Sequence, residues 1–275
     1  MLLKQETATD DCAAVIMEIT KLFGATNMPL LATAELYLGI PFSILDNIRQ
    51  ALTEQFTQDE EKRFINRMRY AGITRERTAN TFKWDDSAYP FAQTGAIENA
   101  LAISFIRNRK NLVMVGPPGA GKSLLAVIVA CKAIRQGFSV KYKTANNIAI
   151  GLQEAKEGNS LSGYIKKLQA CDVLVVEDIT FASFDRKTAE SFFSVIDGRY
   201  GRKTTIVTSN DNIKEWALDF PVKSMSSALL GRFYEDALLI NMNGAQDMRI
   251  RQINGVIGDS DVNSIAETKG DGQCI

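Results

Sequence analysis

The spacing of hydrophobic positions changes twice along the chain and divides it into three regions. Apolar residues recur at helical intervals in the first part, as in FSILDNIRQALTEQF. Short apolar runs that alternate with helical stretches follow, which is the pattern of a parallel sheet with crossover helices. The end of the chain is rich in glycine and acid, with little to bury. We therefore predict a helical region at 1–80, an α/β domain at 81–252 and a disordered tail at 253–275.

Five short apolar runs predict the strands of the sheet. They are NLVMVG at 111–116, SVKYK at 139–143, VLVVE at 173–177, TTIVTS at 204–209 and LLINM at 238–242. Helical patterns precede or separate them, in TGAIENALAISFIRN, GKSLLAVIVACKAIRQG and TAESFFSVIDGRYG. The last of these has one apolar face, made of Ala189, Phe192, Phe193, Ile196 and Tyr200. The predicted fold class is α/β, with a five-stranded parallel sheet between helices.

Composition narrows the chemistry that the chain can carry. Lysine plus arginine and aspartate plus glutamate both number 32, so contact with nucleic acid would need local basic patches. The absence of histidine excludes histidine-ligated zinc and nucleophile pairs built on imidazole. The four cysteines lie far apart and predict reduced thiols. The longest central apolar run, Leu124–Cys131, has eight residues against about 20 for a membrane span, so we expect a cytoplasmic protein with no membrane partner.

A glycine-rich loop follows the first predicted strand. Residues 116–123, GPPGAGKS, fit the phosphate-binding pattern G-x-x-x-x-G-K-[ST], and the strand before and helix after it argue against a chance match. Glycines let the backbone curl so that its N–H groups surround phosphate oxygens. Lys122 would add charge, and Ser123 would offer a hydroxyl to Mg²⁺. The predicted nucleotide contacts are Gly116, Pro117, Pro118, Gly119, Ala120, Gly121, Lys122, Ser123 and Leu124.

A pair of acids ends the third predicted strand, in CDVLVVEDITF. A nucleoside triphosphate site needs one carboxylate to order the metal and another to orient water. Glu177 and Asp178 supply such a pair, 55 positions beyond Lys122. We predict that Glu177 is a Mg²⁺ ligand and that Asp178 activates water. The alternative is an ordinary solvated start of a loop.

The fourth predicted strand delivers Asn210 to the same edge of the sheet, where open α/β folds bind ligands. An amide at that position can hold the attacking water or contact the γ-phosphate. Asn210 is therefore a further candidate catalytic residue. The alternative is a local role, because Ser-Asn after a strand is also good turn chemistry.

These motifs resemble, in order and wording, the IstB/DnaC-like family of AAA+ ATPases. The resemblance runs through NLVMVGPPGAGKSLLAV, VLVVEDITF, GRYGRKTTIVTSN, EWALDF, SALLGRFYEDALLINM and DMRIRQ, and it covers about residues 60–252. The family contains transposition helper proteins of insertion sequences and bacterial or phage helicase loaders. The resemblance implies ATP and Mg²⁺ as cofactors, and homo-oligomers on DNA with ATP sites at subunit boundaries. It implies a transposase or a replicative helicase as the protein partner.

The resemblance also assigns roles to single residues. It implies that Gly119, Gly121, Lys122 and Ser123 bind phosphate and Mg²⁺, and that Asn210 is the sensor after the fourth strand. Arg232 falls where the family places an arginine finger that reaches into a neighbour's site; the alternative is a cation that closes a helix C-terminus. Arg249 would be a second phosphate sensor, although the chain after the last strand is short for a full helical lid. We therefore expect little or no C-terminal lid.

Two departures from the family pattern bear on activity. The family usually ends its acidic strand in Asp-Glu, whereas this chain has Glu177-Asp178. The metal position thus gains a methylene and the water-activating position loses one, and a displacement of about 1 Å can lower a rate on the order of a hundredfold. We therefore expect a slow ATPase that works mainly as a nucleotide-dependent switch. Gly231 stands where many relatives carry Asp before the arginine finger. This departure weakens the match of Arg232 to the position of the finger.

Two basic segments are candidates for DNA contact. Residues 61–78 carry Lys62, Arg63, Arg67, Arg69, Arg75 and Arg77, with Phe64 and Tyr70 interleaved, and residues 107–110 read RNRK. Such a run could follow a phosphate backbone or could be a solvated helix face. Phe82 and Trp84 could flank the adenine or anchor the linker to the core.

Three classes of function remain open from the sequence. The first is a DNA-acting assembly ATPase, either a transposition helper, which the wording of GRYGRKTTIVTSN and EWALDF favours, or a helicase loader. The second is a small-molecule kinase with a P-loop, for which no acceptor-site segment is recognisable. The third is a nucleotide-binding scaffold that barely hydrolyses, which the Glu177-Asp178 order keeps open.

Overall fold

The computed structural model describes residues 2–25, 34–37, 39–78, 94–210, 217 and 220–244. Phe82, Trp84, Arg249 and the predicted tail at 253–275 lie outside the described residues. So does any lid that follows residue 244.

Helices and strands alternate through most of the chain. The helices are α1 (Leu2–Ala25), α2 (Phe42–Ala71), α3 (Thr94–Ala102), α4 (Ser104–Arg107), α5 (Lys122–Arg135), α6 (Ala145–Glu157), α7 (Leu161–Ala170), α8 (Arg186–Arg199) and α9 (Lys223–Tyr234). The strands are β1 (Leu112–Val115), β2 (Val140–Thr144), β3 (Val173–Glu177), β4 (Thr204–Ser209) and β5 (Leu238–Asn241). Short 3₁₀ turns occupy Ala34–Tyr37 and Ile179–Phe181.

The five strands form one parallel sheet in the order β2-β3-β4-β1-β5. All five lie where the apolar runs predict them, so the α/β fold class is confirmed. The interior of β3 is fully buried from Val173 to Val176. Continuous burial of this kind is expected when helices cover both faces of a parallel sheet. The shared carboxyl edge of the sheet receives the ends of β1, β3 and β4, where the predicted site lies.

The helices differ from the sequence-based expectations in three places. TGAIENALAISFIRN, predicted as one helix, breaks at Ile103, which has a φ of 52°. The helices α6 and α7 have no counterpart among the predicted helices. The predicted apolar face of α8 is buried at Ala189, Phe192 and Ile196, but Tyr200 lies beyond the helix end and is 40% exposed.

The described chain divides into two compact units, with the boundary between Asn66 and Arg67 inside α2. The first unit has its own small core, in which Ile16, Ile19, Tyr37 and Leu45 are buried. The rings of Phe23 and Tyr37 stack at 6.4 Å between centroids. None of the described helices is both long and apolar enough to cross a membrane.

A buried arginine ties together the amino edge of the sheet. Arg199, at the end of α8, is 1% exposed. Its Nη1 donates to the carbonyl oxygens of Leu168 at 2.7 Å and Cys171 at 2.8 Å, and its Nη2 donates to the carbonyl of Thr204. Burial lowers the pKa of this guanidinium. Arg199 therefore joins the end of α7 to the starts of β3 and β4.

A second polar joint lies beside it at Asp172. The carboxylate of Asp172 accepts hydrogen bonds from Lys203 Nζ and Ser139 Oγ, both at 2.6 Å. Burial alone would raise the pKa of Asp172, but the bonds from Lys203 and Ser139 outweigh burial and lower the pKa to about 2. The residues that precede β2, β3 and β4 are thus held in register by one carboxylate.

Candidate functional site

The glycine-rich loop between β1 and α5 has the conformation that its sequence predicts. Gly119 and Gly121 have φ values of 83° and 92°, in the left-handed region that glycine adopts without strain. Lys122 is 4% exposed, and its Nζ donates to the carbonyl oxygens of Gly116 at 2.6 Å and Pro117 at 2.9 Å. The loop therefore folds around the ammonium group, at the N-terminus of α5, where anions bind favourably.

The start of the loop is fixed by close contact with β5. A Cβ atom on Gly116 would lie 2.7 Å from Met242 Cβ and 2.9 Å from its carbonyl carbon. The N–H of Gly116 donates to the carbonyl of Ser209 at 3.2 Å, and the N–H of Met242 donates to that of Val115 at 2.7 Å. Glycine is required at position 116 because Met242, directly after β5, leaves no room for a Cβ atom.

The two acids follow β3 at the same edge. Glu177 ends the strand, and Asp178 has a left-handed φ of 53°. The N–H of Asp178 donates to Thr208 Oγ1 at 2.9 Å, which ties the end of β3 to β4. Burial and the nearby Glu177 carboxylate raise the pKa of Asp178, while Lys122 opposes this shift. A raised pKa makes Asp178 a stronger base than an exposed aspartate.

Asn210 lies directly after β4 and is half-buried. The pairing of Val115 with Ser209 places the end of β4 beside the start of the loop. Because β4 lies between β1 and β3, Asn210 follows the strand that separates the loop from the two acids. The structure thus brings the loop, the acids and Asn210 to one edge, as the sequence predicts.

A cavity of about 380 Å³ opens beside the loop. Its lining residues are Gly72, Ile73, Thr74, Arg75, Arg77, Ser123, Leu124, Val127, Tyr142 and Glu177. Ser123 and Glu177, the two predicted metal ligands, thus face a common space. A hydroxyl and a carboxylate are hard oxygen donors, which is the ligand type that Mg²⁺ prefers. The residues present therefore fit a Mg²⁺ ion whose other ligands are phosphates and water.

Two features of this cavity have no counterpart in the sequence-based site. Burial, and then the charge of Glu177, raises the pKa of the Tyr142 phenol, so that this ring faces the carboxylate as a neutral group. Arg75 and Arg77, which belong to the candidate DNA-binding run, line the cavity. Their segment is held against α5 by an ion pair between Glu76 and Arg135, at 2.7 Å. The position of Arg75 and Arg77 beside the phosphate loop depends on contacts between segments far apart in the chain, so the sequence alone does not show it.

Arg232 lies at the opposite edge of the sheet. Its carbonyl accepts a hydrogen bond from Asn111 Nδ2 at 2.7 Å, and Asn111 Oδ1 accepts one from the N–H of Thr205 at 2.9 Å. Asn111 precedes β1 and Gly116 follows it, so a strand of four residues, about 13 Å, lies between them. Arg232 therefore does not join its own chain's P-loop. Its Nη1 also donates to the carbonyl of Ala228 at 3.0 Å, within its own helix α9.

In the rest of the candidate DNA-binding run, two cations lie close to acids of the same helix. Within α2, Lys62 and Arg63 lie near Asp59 and Glu60, at 3.7 and 3.0 Å respectively. Phe64 is 5% exposed and is not available for stacking, whereas Tyr70 is 79% exposed. The second segment, residues 107–110, lines a separate cavity of about 510 Å³ at the amino edge of the sheet.

A model of the family described as IstB-like ATP binding protein matches residues 37–254, which is well over half of the chain. The chain belongs to this family. One relative is named as an ATP-binding protein of insertion sequence IS21, from Pseudomonas aeruginosa. It is 25% identical to this IstB-like protein over 194 residues, and the match covers 70% of this chain and 72% of the relative. A similarly named protein of insertion sequence IS5376 from Geobacillus stearothermophilus is 28% identical over 176 residues, covering 64% and 69%.

Solved structures share the fold of this IstB-like protein. The DnaC helicase loader matches with a TM-score of 0.50 and 20% identity, over 60% of this chain and 96% of that one. AMPPCP-bound DnaA from Aquifex aeolicus matches with a TM-score of 0.53 and 19% identity, over 66% of this chain and 54% of DnaA, about half its length. At these identities the likeness shows the P-loop AAA+ fold alone.

Proposed function

We propose that this IstB-like protein is a Mg²⁺-dependent ATPase of slow turnover that assembles on DNA and assists a transposase. The observation that carries the proposal is the meeting of Ser123 and Glu177 at one cavity, next to a loop that encloses Lys122. The proposal is supported further by the family to which the chain belongs and by the names of its insertion-sequence relatives.

Each residue at the carboxyl edge then has a defined task. The backbone N–H groups of the loop bind the phosphates, and Lys122 exchanges its bonds to Gly116 and Pro117 for bonds to outer phosphate oxygens. Ser123 and Glu177 would hold Mg²⁺, and the ion would supply positive charge to neutralise charge that develops on the phosphates. Asp178, with its raised pKa, accepts a proton from the attacking water. Asn210 orients that water. Arg249, which lies outside the described residues, is proposed as a second contact to phosphate.

Arg232 completes the site of another subunit in this proposal. Its position at the amino edge keeps it from its own P-loop, and a second copy that presents this edge would bring the guanidinium to the γ-phosphate. Homo-oligomers with ATP at their boundaries follow from this arrangement. Basic residues at 67–70 and 107–110 supply the DNA contact.

The order Glu177-Asp178 should limit turnover. Exchanging the two residues to Asp-Glu shortens the metal ligand by a methylene and lengthens the base by one. We expect the steady-state rate of phosphate release to rise about tenfold, because a shift of about 1 Å in a catalytic group changes rates by up to a hundredfold. The matched control, Glu157→Asp at the exposed end of α6, should leave the rate unchanged. An unchanged or lower rate in the exchanged variant would refute this explanation of slow hydrolysis.

The proposed function is tested by ATPase rates and sedimentation measured together. We expect DNA to raise the ATPase rate several-fold, and a non-hydrolysable ATP analogue with DNA to convert monomers into a defined oligomer. Phosphoryl transfer to a small molecule would instead indicate a kinase, and nucleotide binding without hydrolysis would indicate a scaffold. Co-sedimentation of that oligomer with a transposase supports the helper, whereas co-sedimentation with a replicative helicase supports a DnaC-like loader.

A further inference from the structure

The guanidinium of Arg232 is enclosed on three sides by its own subunit. Asp197 Oδ1, on α8, accepts a hydrogen bond from Arg232 Nε at 2.8 Å and another from Nη2. The Arg232 Cζ atom lies 4.8 Å from the centre of the Phe193 ring and 5.7 Å from that of Tyr200. The Tyr200 hydroxyl in turn donates a hydrogen bond to the Glu235 carboxylate. We call this set, Phe193, Asp197 and Tyr200, the Arg232 cradle.

The cradle leaves part of the guanidinium available. A guanidinium has five N–H donors. Asp197 takes the Nε donor and one on Nη2, and the Ala228 carbonyl takes one on Nη1. Within the part of the chain that the structure describes, one donor on each Nη atom is left over. These two atoms form the edge with which arginine binds a phosphate in bidentate fashion.

We propose that Asp197, with Phe193 and Tyr200, positions Arg232 for the phosphates of a nucleotide held by a second copy of this chain. This inference rests on the proposed function, since it specifies how the guanidinium is presented to the neighbouring site. Asp197 is a positioning residue: it acts through Arg232 and does not contact the nucleotide.

Two physical effects make positioning necessary. An arginine side chain loses considerable rotamer freedom when it is fixed in one geometry, and a cradle that fixes it in advance removes that loss from the assembly step. Contact with the Phe193 and Tyr200 rings also limits how the guanidinium can turn, and therefore the directions in which its free edge can point. Asp197 is half-exposed, so the ion pair alone adds little to folding stability, and its main effect is on geometry.

The opposite hypothesis is that Asp197 is a latch that holds Arg232 away from the neighbouring site. The two hypotheses predict opposite changes in the ATPase rate when the Asp197 carboxylate is removed. Removing the carboxylate would release a latched arginine and raise the ATPase rate of the assembled protein. Removing a positioning carboxylate would lower that rate. The sign of one measurement therefore separates the two.

The experiment compares Asp197→Ala, Asp197→Asn and Arg232→Ala in the full chain, assembled with ATP and DNA. We expect Asp197→Ala to lower kcat about tenfold, with KM for ATP within about twofold of wild type, because orientation in the transition state is lost while nucleotide binding is not. Asp197→Asn keeps an acceptor oxygen and should recover most of kcat. Arg232→Ala should lose more, and adding Asp197→Ala to it should have no further effect. Glu190→Ala, an acid elsewhere on α8, is the matched control and should behave as wild type.

The outcomes distinguish the two proposals. If Arg232→Ala keeps full activity, the role of Arg232 in a neighbouring site is wrong. If Arg232→Ala loses activity while Asp197→Ala equals or exceeds wild type, only the positioning role is wrong. Sedimentation of each variant confirms that assembly is intact, and thermal unfolding of Asp197→Asn confirms that the fold is retained.

Discussion

Replacing Lys122 with alanine should lower the affinity for MgATP about 10- to 100-fold and the hydrolysis rate on the order of 10²- to 10³-fold. The first figure follows from the loss of a hydrogen bond to a charged group, worth about 1.5–3 kcal/mol. The second follows from the loss of one donor that stabilises charge in the transition state. Titration with a fluorescent ATP analogue and a phosphate-release assay measure the two effects.

The loop itself should also loosen, because Lys122 bonds the Gly116 and Pro117 carbonyls. Thermal unfolding separates this effect from the loss of nucleotide contacts. The matched control is Lys166→Ala, at an exposed position on α7, which should bind and hydrolyse ATP as wild type does. Wild-type affinity for MgATP in the Lys122→Ala variant would overturn the assignment of the P-loop as the nucleotide site.

Replacing Arg199 with methionine should destabilise the protein by about 3–5 kcal/mol, the largest effect on folding that we expect from one substitution. Methionine keeps most of the apolar stem but has no N–H donors, so the buried carbonyls of Leu168, Cys171 and Thr204 each lose the hydrogen bond from the guanidinium. An unpaired buried polar group costs about 1–3 kcal/mol. Urea unfolding followed by circular dichroism measures the change.

Arg202→Met is the matched control for this substitution. It removes the same charge three residues away, from an exposed side chain in the turn before β4, and should change the free energy of unfolding by less than about 0.5 kcal/mol. Arg199→Lys should lie between the two, since an ammonium has three donors but lacks the planar fork. A loss below about 1 kcal/mol in Arg199→Met would show that water satisfies these carbonyls as well as the guanidinium does.

The strands and the phosphate loop could be predicted because their signals are local. A run such as Val173–Val176 is continuous and apolar because both faces of a parallel strand are buried, and the pattern needs no knowledge of its neighbours. The loop is local in the same way, since the left-handed φ values of Gly119 and Gly121 are backbone requirements within the motif, whereas the need for glycine at 116 comes from its contact with Met242. Both were therefore visible in the sequence.

The parts that escaped prediction depend on segments far apart in the chain. In the sequence, Arg199 is an ordinary charged residue at the end of a helix. Its burial follows from its hydrogen bonds to carbonyls of α7 and β4, which are distant segments. Arg75 looks like one more cation in a basic run, yet it lines a cavity with residues about 50 and 100 positions away. The helix α7 escaped prediction because only Leu168 of its ten residues is buried. The helix α6 does carry a helical pattern, with Ala145, Ile148, Ala149, Leu152 and Ala155 buried, and the prediction overlooked it.

The strand order has a consequence for how the protein is made. Strand β1 lies between β4 and β5, and both of these come much later in the chain. While the ribosome is still adding the residues before Ser209, about 90 positions downstream, β1 has neither neighbour. At about 5–20 residues per second that interval lasts several seconds or more. The nascent chain therefore carries its phosphate-binding sequence for several seconds before the sheet that supports a nucleotide site can form.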